Sequence, residues 1–181
     1  AWRGRRRGFN LAQGTGGSQP AVQGDSSLLF DGSDDSLAAT FGLQTPGITV
    51  CLLMKQVTWT SARCICTVSS SGYNSLFQYS TTPGILAHTS AESSTQDNNL
   101  AVNTWATVIY SMTQGSWLTQ VDANTATTYA GGALEAMGGF VLGSGIGGFR
   151  ANIQVKEVLV YRGILDATAR AAVRAYFATV P

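Results

Sequence analysis

Residues 151–161, Ala-Asn-Ile-Gln-Val-Lys-Glu-Val-Leu-Val-Tyr, are followed three residues later by Leu165-Asp166 and a helical pattern, and this order decides the fold class. The first segment is rich in Val, Ile and Tyr, which predicts a long β-strand. Asp166 is suited to cap a helix, and an apolar stripe at helical spacing follows it: Ala169, Ala172, Val173, Tyr176 and Phe177. We expect this helix to pack on a sheet and to leave Arg170 and Arg174 exposed to solvent.

Short strand patterns alternate with turns from Ser26 onward. The predicted strands are Ser27–Phe30, Ile48–Val57, Arg63–Val68, Ser75–Tyr79, Ile85–His88, Trp105–Met112, Trp117–Val121, Thr125–Tyr129 and Phe140–Gly143. We expect the second and third of these to pair as a hairpin near Trp59, and residues 89–103 to form a polar loop at an interface or the outer surface. Only 12% of the residues are charged, which disfavours a helical bundle. The sequence therefore predicts an all-β, two-sheet antiparallel sandwich with one C-terminal helix.

The chain of 181 residues fits one domain preceded by an arm, and we place the boundary at residue 24. Residues 1–24 form the extended arm and residues 25–181 the sandwich domain. Four of the eleven basic residues lie at the start of the arm, and a Gly-rich stretch follows them. Such a composition predicts disorder unless a partner holds the segment. We expect the arm to dock on an acidic protein surface through Trp2, Arg3, Arg5, Arg6, Arg7 and Phe9.

Charge and hydropathy exclude several other classes of partner. The net charge is +1, and the chain beyond the arm is not basic, so nucleic acid is not an expected partner. No run approaches the ~18 apolar residues that a membrane helix requires. No apolar stretch follows the arginines, so we expect synthesis in the cytoplasm without a signal peptide. The three cysteines (Cys51, Cys64 and Cys66) are predicted to be buried, reduced and on one face of the predicted hairpin.

The order of several motifs resembles laminin-G-like and concanavalin-A-like jelly-roll domains over about residues 25–178. The motifs are Phe30-Asp31-Gly32-Ser33-Asp34-Asp35, Ile48-Thr49-Val50, Trp105-Ala106-Thr107-Val108, Val121-Asp122 and Ile153–Tyr161 with Leu165-Asp166. Ala123 departs from the family, which usually has Gly after this Asp; Asn124 can adopt the same turn conformation. Together with the leader Gln13…Gln19-Pro20, the pattern is similar to bacteriophage structural proteins that carry this domain.

The resemblance implies a non-enzymatic virion protein, most simply a capsid decoration or cement protein. We expect a homo-oligomer, such as a trimer, that binds the major capsid protein or another virion protein. The alternative is a carbohydrate-binding adhesin, or a tail or fibre component, that recognises host surface glycan. Trp59, Trp117 and Tyr73 would then be the rings on which sugars stack.

Catalysis and metal binding were weighed on particular residues. Glycosidases of this fold need two facing carboxylates, and their E-x-D-x-E strand pattern is absent; His88, the only histidine, has no obvious partner. We therefore predict no enzymatic activity. Asp31, Asp34 and Asp35 place three carboxylates in five positions, a pattern that suits calcium. The same residues can instead cap backbone amides in a turn, and no other cofactor is expected.

Overall fold

The computed structural model of the protein describes residues 10–44, 47–68, 74–79, 82–88, 93–129 and 137–181. Within these residues the chain forms thirteen strands and one helix. In chain order they are β1 (Ala21–Val22), β2 (Leu28–Asp31), β3 (Leu37–Gln44), β4 (Gly47–Gln56), β5 (Arg63–Thr67), β6 (Ser75–Gln78), β7 (Ile85–His88), β8 (Ser93–Asp97), β9 (Ala106–Thr113), β10 (Ser116–Val121), β11 (Thr127–Tyr129), β12 (Met137–Leu142), β13 (Asn152–Arg162) and α1 (Ala167–Phe177).

The strands form two antiparallel sheets that enclose one apolar core. The seven-stranded sheet has the order β1-β2-β13-β4-β9-β10-β11, and the six-stranded sheet has the order β3-β12-β5-β6-β7-β8. Phe30, Leu52, Tyr110 and Phe140 are buried between the sheets. Each fully buried large side chain of this kind stabilises the fold by about 1.5–3 kcal/mol relative to exposure. The predicted all-β sandwich with a C-terminal helix is confirmed.

A register shift in β13 lets this strand serve two apolar layers. Before the shift, which lies between Val155 and Glu157, Ile153 and Val155 point into the core between the sheets. After it, Val158 packs on that core, while Leu159 packs on the opposite face of the sheet, beneath α1. The extra residue of a β-bulge offsets the alternation of side chains by one position.

Helix α1 covers the outer face of the seven-stranded sheet. The Asp166 side chain accepts a hydrogen bond from the Ala169 backbone N–H at 2.8 Å, which confirms the predicted N-cap. Val173 and Phe177 are buried against Cys51 of β4 and Ile109 of β9, in a list of contacts that also includes Leu53, Leu159, Tyr161, Leu165 and Val180.

Two details of the predicted helix faces are wrong. Ala172 and Tyr176 are exposed, because the buried stripe follows only the four-residue spacing of Ala169, Val173 and Phe177. Arg170 and Arg174, expected in solvent, are half-buried and donate hydrogen bonds to Gln120 of β10. This helix therefore contacts the sheet through a polar flank as well as an apolar stripe.

The predicted hairpin of residues 48–57 and 63–68 is also wrong, because its two strands lie in different sheets. β4 pairs with β9 and β13, whereas β5 pairs with β6 and β12. Both strands are buried on nearly every residue, so neither carries the alternation that identifies a partner.

The three thiols are free and buried, as predicted, but they do not share one face. Cys51 lies beneath α1, whereas the Cys66 thiol contacts the Tyr110 hydroxyl in the core, with 3.7 Å between sulfur and oxygen. Burial raises the pKa of Cys51 to about 12 and the pKa of Cys66 to about 12. It also raises the pKa of Cys64 well above the ordinary value of a thiol. All three are protonated at neutral pH.

Much of the predicted arm belongs to the sandwich. Leu11 is buried in the core, and the backbone N–H and C=O of Ala12 both bond to Ala38 of β3, at 2.9 and 3.0 Å. The Gln13 side-chain amide donates to the Ser36 hydroxyl at 3.0 Å, and β1 pairs with β2. The domain boundary predicted at residue 24 is therefore too late. Residues 11–22, which we call the docked root, begin the folded domain.

Two further segments differ from the sequence interpretation. Residues 93–97, assigned to a polar loop, form edge strand β8 beside β7. β3 was not predicted at all; it pairs with β12 along its length. A polar edge strand and a strand of small residues both lack a strong apolar pattern. No helix of the described ranges is both long and apolar enough to cross a bilayer.

Candidate functional site

The three acidic residues predicted as a calcium site lie together at the turn after β2. One carboxylate oxygen from each of Asp31, Asp34 and Asp35 lies within 4.8 Å of the others. Asp35 Oδ2 accepts the Asp31 backbone N–H at 2.9 Å, and Asp31 Oδ1 accepts the Ser33 backbone N–H at 2.7 Å. The Ser18 hydroxyl of the docked root donates to Asp34 Oδ2 at 3.3 Å. Local hydrogen bonds account for all three residues, and calcium binding stays a prediction.

The acidic turn is electrostatically uncomfortable in its ionised form. Asp35 is buried, whereas Asp31 and Asp34 are exposed. Loss of water around Asp35 raises its pKa, and the neighbouring charges of Asp31 and Asp34 raise it further. A bound cation, or a proton on Asp35, would relieve this repulsion.

Of the three aromatic residues predicted to stack on sugars, only one remains available in the described structure. Trp117 is 0% exposed, because β10 directs it into the core, where its ring lies 5.9 Å from the Tyr129 ring. Its assignment to a glycan site is therefore wrong. Tyr73 lies outside the described residues. Trp59 is half-buried, in the connection between β4 and β5.

Trp59 belongs to a cluster at one end of the sandwich, which we call the Trp59 end and define as residues 56–59, 78–79, 82–84 and 97–100. The indole N–H of Trp59 donates to the Gly84 carbonyl at 2.9 Å, and the backbone N–H of Tyr79 donates to the same oxygen at 3.1 Å. Tyr79 is 41% exposed. Two aromatic rings are thus held at the β6–β7 turn.

Two buried glutamines join the loops of the Trp59 end. The Gln56 amide nitrogen donates to the Pro83 carbonyl at 3.1 Å and to the Leu100 carbonyl at 2.8 Å. The Gln78 amide nitrogen donates to the Gln56 side-chain oxygen at 2.7 Å and to the Thr58 carbonyl at 2.8 Å. Since charged or amide groups in a core need partners, these bonds fix three separate chain segments relative to one another.

Exposed amides complete the surface of the Trp59 end. Asn98 and Asn99 are exposed, and the Asn99 backbone and side-chain amides donate to Asp97 Oδ1 at 2.9 and 2.7 Å. Exposed aromatic rings beside oriented amides can bind sugars, since rings stack on apolar sugar faces and amides bond to hydroxyls. Sequence reasoning found Trp59 but missed Tyr79, Gln56 and Gln78. The available signal was a glutamine at the end of two otherwise apolar strands.

A second aromatic cluster lies on the outer face of the seven-stranded sheet, away from α1. The ammonium groups of Lys55 and Lys156 lie 5.2 and 4.8 Å from the centre of the Trp105 ring. Lys156 also pairs with Asp25 at 3.7 Å. Both cations already have partners, so the cluster is explained by cation–π packing.

His88 lies on β7 and packs edge-on against Phe77, with 5.5 Å between ring centres. Burial lowers its pKa, so the ring is neutral at neutral pH. Its Nδ1 atom is buried without a hydrogen-bond partner in the described part of the chain. A general base needs a group that orients its ring, and the described residues give Nδ1 none.

The residues predicted to carry the arm's contacts lie outside the described structure: Trp2, Arg3, Arg5, Arg6, Arg7 and Phe9. The polypeptide becomes describable at Asn10, directly before the docked root. Any contact made by the basic segment therefore starts from a point fixed on the edge of β3.

No protein-family model and no curated protein sequence matches the chain. Solved structures do match in fold. The binding domain of botulinum neurotoxin DC, in complex with rat synaptotagmin II, has a TM-score of 0.64 at 11% identity, covering 96% of this chain and 48% of that chain. A GH54 α-L-arabinofuranosidase has a TM-score of 0.63 at 12% identity, covering 86% of this chain and 41% of that chain.

A Trypanosoma rangeli sialidase matches with a TM-score of 0.60 at 13% identity, covering 84% of this chain and 27% of that chain. The chain thus spans less than half the length of each of these proteins. The similarity shows a jelly-roll or sandwich fold that binding domains and glycosidases both contain. At these identities it shows neither a catalytic activity nor a ligand for this chain.

Proposed function

We propose that this chain is a non-enzymatic structural protein of a bacteriophage particle, most simply a capsid decoration protein that contacts the capsid and neighbouring copies. The observation that carries the proposal is the docked root. Leu11 and Ala12 are fixed to the sandwich, so Arg3 to Arg7 start from a defined point on the edge of β3. The sandwich is the rigid body and the basic segment its attachment.

The length of the tether limits what the arginines can reach. An extended chain spans at most ~3.5 Å per residue, so Arg3 lies within about 28 Å of Leu11, and Arg7 within about 14 Å. A tether of this length confines four guanidinium groups to a small volume beside one edge of the domain. Binding of such a segment to an acidic capsid surface gains from many copies acting together.

The experiment is removal of residues 1–9, a cut that leaves Leu11 and the root in place. We expect the truncated protein to fold with an unchanged melting temperature and to lose attachment to purified particles. A matched variant changes Arg3, Arg5, Arg6 and Arg7 to Gln and keeps the length of the segment. If either variant still attaches to particles like the intact protein, the proposed attachment is wrong.

A second candidate function is recognition of host surface glycan at the Trp59 end. It is favoured by the half-buried Trp59 and the exposed Tyr79 beside oriented amides. Proteins with a similar fold include a sialidase and an arabinofuranosidase, which act on sugars. A glycan array tests the candidate: binding should be lost in Tyr79→Ala and kept in Tyr176→Ala, a residue of similar exposure on α1. Equal loss in both variants would argue against this site.

A further inference from the structure

We propose that Arg170 and Arg174 of α1, held together on the side-chain oxygen of Gln120, form a binding site for a carboxylate that another polypeptide supplies. The site does not depend on the proposed virion function, and it lies on the opposite side of the seven-stranded sheet from the core. None of its three residues was predicted to have this role.

The geometry starts from Gln120 on β10. Its amide nitrogen donates to the Asn124 carbonyl at 2.7 Å, which fixes the orientation of the amide and turns its oxygen toward α1. Arg170 Nε donates to this oxygen at 2.9 Å, and Arg174 Nη1 donates to it at 3.3 Å. Arg170 Nη1 also donates to the Leu165 carbonyl at 2.8 Å. Two guanidinium groups therefore share one acceptor.

That acceptor is neutral, so the two positive charges are not compensated. The described residues contain one ion pair, Lys156–Asp25, and it involves neither arginine. The nearest acidic residue of the helix, Asp166, uses its carboxylate to cap the Ala169 N–H. Two like charges this close repel each other, and at a half-buried position the repulsion is screened less than in open water. An added carboxylate would remove it.

The remaining donors suit a carboxylate. Each guanidinium has five N–H groups in one plane, and the contacts above use two on Arg170 and one on Arg174. A carboxylate accepts two parallel N–H bonds from such a fork, a charge-assisted geometry. Because the arginine side chains are already held by Gln120 and Leu165, a ligand would order them further at little entropic cost.

The exposed carboxylates of the acidic turn cannot reach the pair within one molecule. Asp31 is paired with Asn152 at the start of β13, whereas Gln120 is level with Leu159, through the register Gln120–Ile109–Cys51–Leu159. The seven residues between Asn152 and Leu159 span about 23 Å at ~3.3 Å per residue. The carboxylate must come from a second copy or from a different protein.

The test is a titration of the intact protein, followed by the NMR signals of the arginine Nε–H groups. The probe is a short blocked peptide with two adjacent Glu residues. The controls are the same peptide with Gln in place of Glu, and inorganic phosphate. We expect the Glu peptide to shift the Arg170 and Arg174 signals, the Gln peptide to have no effect, and Arg174→Gln to weaken binding at least about tenfold.

Arg162→Gln is the matched control, since it removes one exposed positive charge from the end of β13. We expect it to change the affinity less than about twofold, as rim charges usually do. Arg174→Lys, which keeps the charge but not the fork, should bind between the two. Equal weakening in Arg174→Gln and Arg162→Gln, or signal shifts with phosphate but not with the Glu peptide, would overturn the proposal. So would a variant that loses stability but no affinity.

Sedimentation of the protein at increasing concentration identifies the source of the carboxylate. If self-association is present and is lost in both Arg174→Gln and Asp34→Asn, a second copy supplies it. If the protein stays monomeric while the Glu peptide binds, a different polypeptide supplies it. Particle attachment is measured separately with the 1–9 truncation, so failure of one proposal leaves the other intact.

Discussion

Replacement of Gln56 by leucine tests whether the buried glutamine pair holds the Trp59 end together. The substitution keeps most of the side-chain volume and removes three hydrogen bonds, to Pro83, Leu100 and Gln78. A buried polar group that loses its partner costs about 1–3 kcal/mol, and Pro83, which is only half-buried, can regain a bond from water. Burial of leucine returns about 1.5 kcal/mol or more. The net loss of unfolding free energy should be about 2–4 kcal/mol.

The assay is thermal and urea unfolding followed by circular dichroism. For a chain of this size, 1 kcal/mol corresponds to roughly 2–4 °C, so the melting temperature should fall by roughly 4–16 °C. The control is Gln154→Leu on β13, also half-buried but with no side-chain hydrogen bond in the structure; it should change stability by less than about 0.5 kcal/mol.

A double substitution of Gln56 and Gln78 by leucine separates pairing from burial. Because each single variant strands the partner of the other, the double variant should cost less than the sum of the two. The reasoning is refuted if Gln56→Leu is no less stable than Gln154→Leu, or if the two glutamine substitutions are additive.

Three further predictions follow from other parts of the fold. Asp166→Ala should lower the unfolding free energy by about 1 kcal/mol through loss of the α1 cap, measured by urea unfolding, whereas Asp166→Asn should lose less. Gly143→Ala should cost at least about 2–4 kcal/mol, since Gly143 has a φ of +82° and an added Cβ would lie 2.3 Å from a Phe30 ring atom; a stable variant would contradict the packing at this turn. The raised pKa of Asp35 means that the folded protein holds this proton more tightly than the unfolded chain, so its contribution to stability is present below pH 3.8 and is lost as the pH rises through the raised value. Asp35→Asn should therefore flatten the pH dependence of the melting temperature in that range, and an unchanged profile would assign the dependence to another group.

The sequence was informative wherever a pattern was local. The Asp166 cap, the β9–β10 hairpin and the closing strand β13 depend on residues close together in the chain, and the structure confirms each. Pairing between distant strands was not predictable in this way. Residues of β4 and β5 are buried on nearly every position, so their pattern does not distinguish a hairpin from two separate sheets.

The candidate sites show the same division. The acidic turn lies within five consecutive residues, and its clustering was predictable. The Trp59 end and the Arg170–Arg174 pair combine segments that are 20 to 54 positions apart, joined by glutamine side chains. A single glutamine in an apolar strand indicates a buried polar contact but not the identity of its partner. Trp117 failed as a surface residue because its position beside a turn did not reveal which face of β10 it occupies.

Cys51 and Cys66 allow two kinds of opening motion to be timed in one molecule. Only a thiolate reacts with an alkylating reagent, and burial keeps both groups protonated, so each must wait for its cover to leave. Detachment of α1 is enough to uncover Cys51, whereas Cys66 is reached only when the two sheets separate. The ratio of the two labelling rates therefore measures how much more easily the helix detaches than the sandwich unfolds.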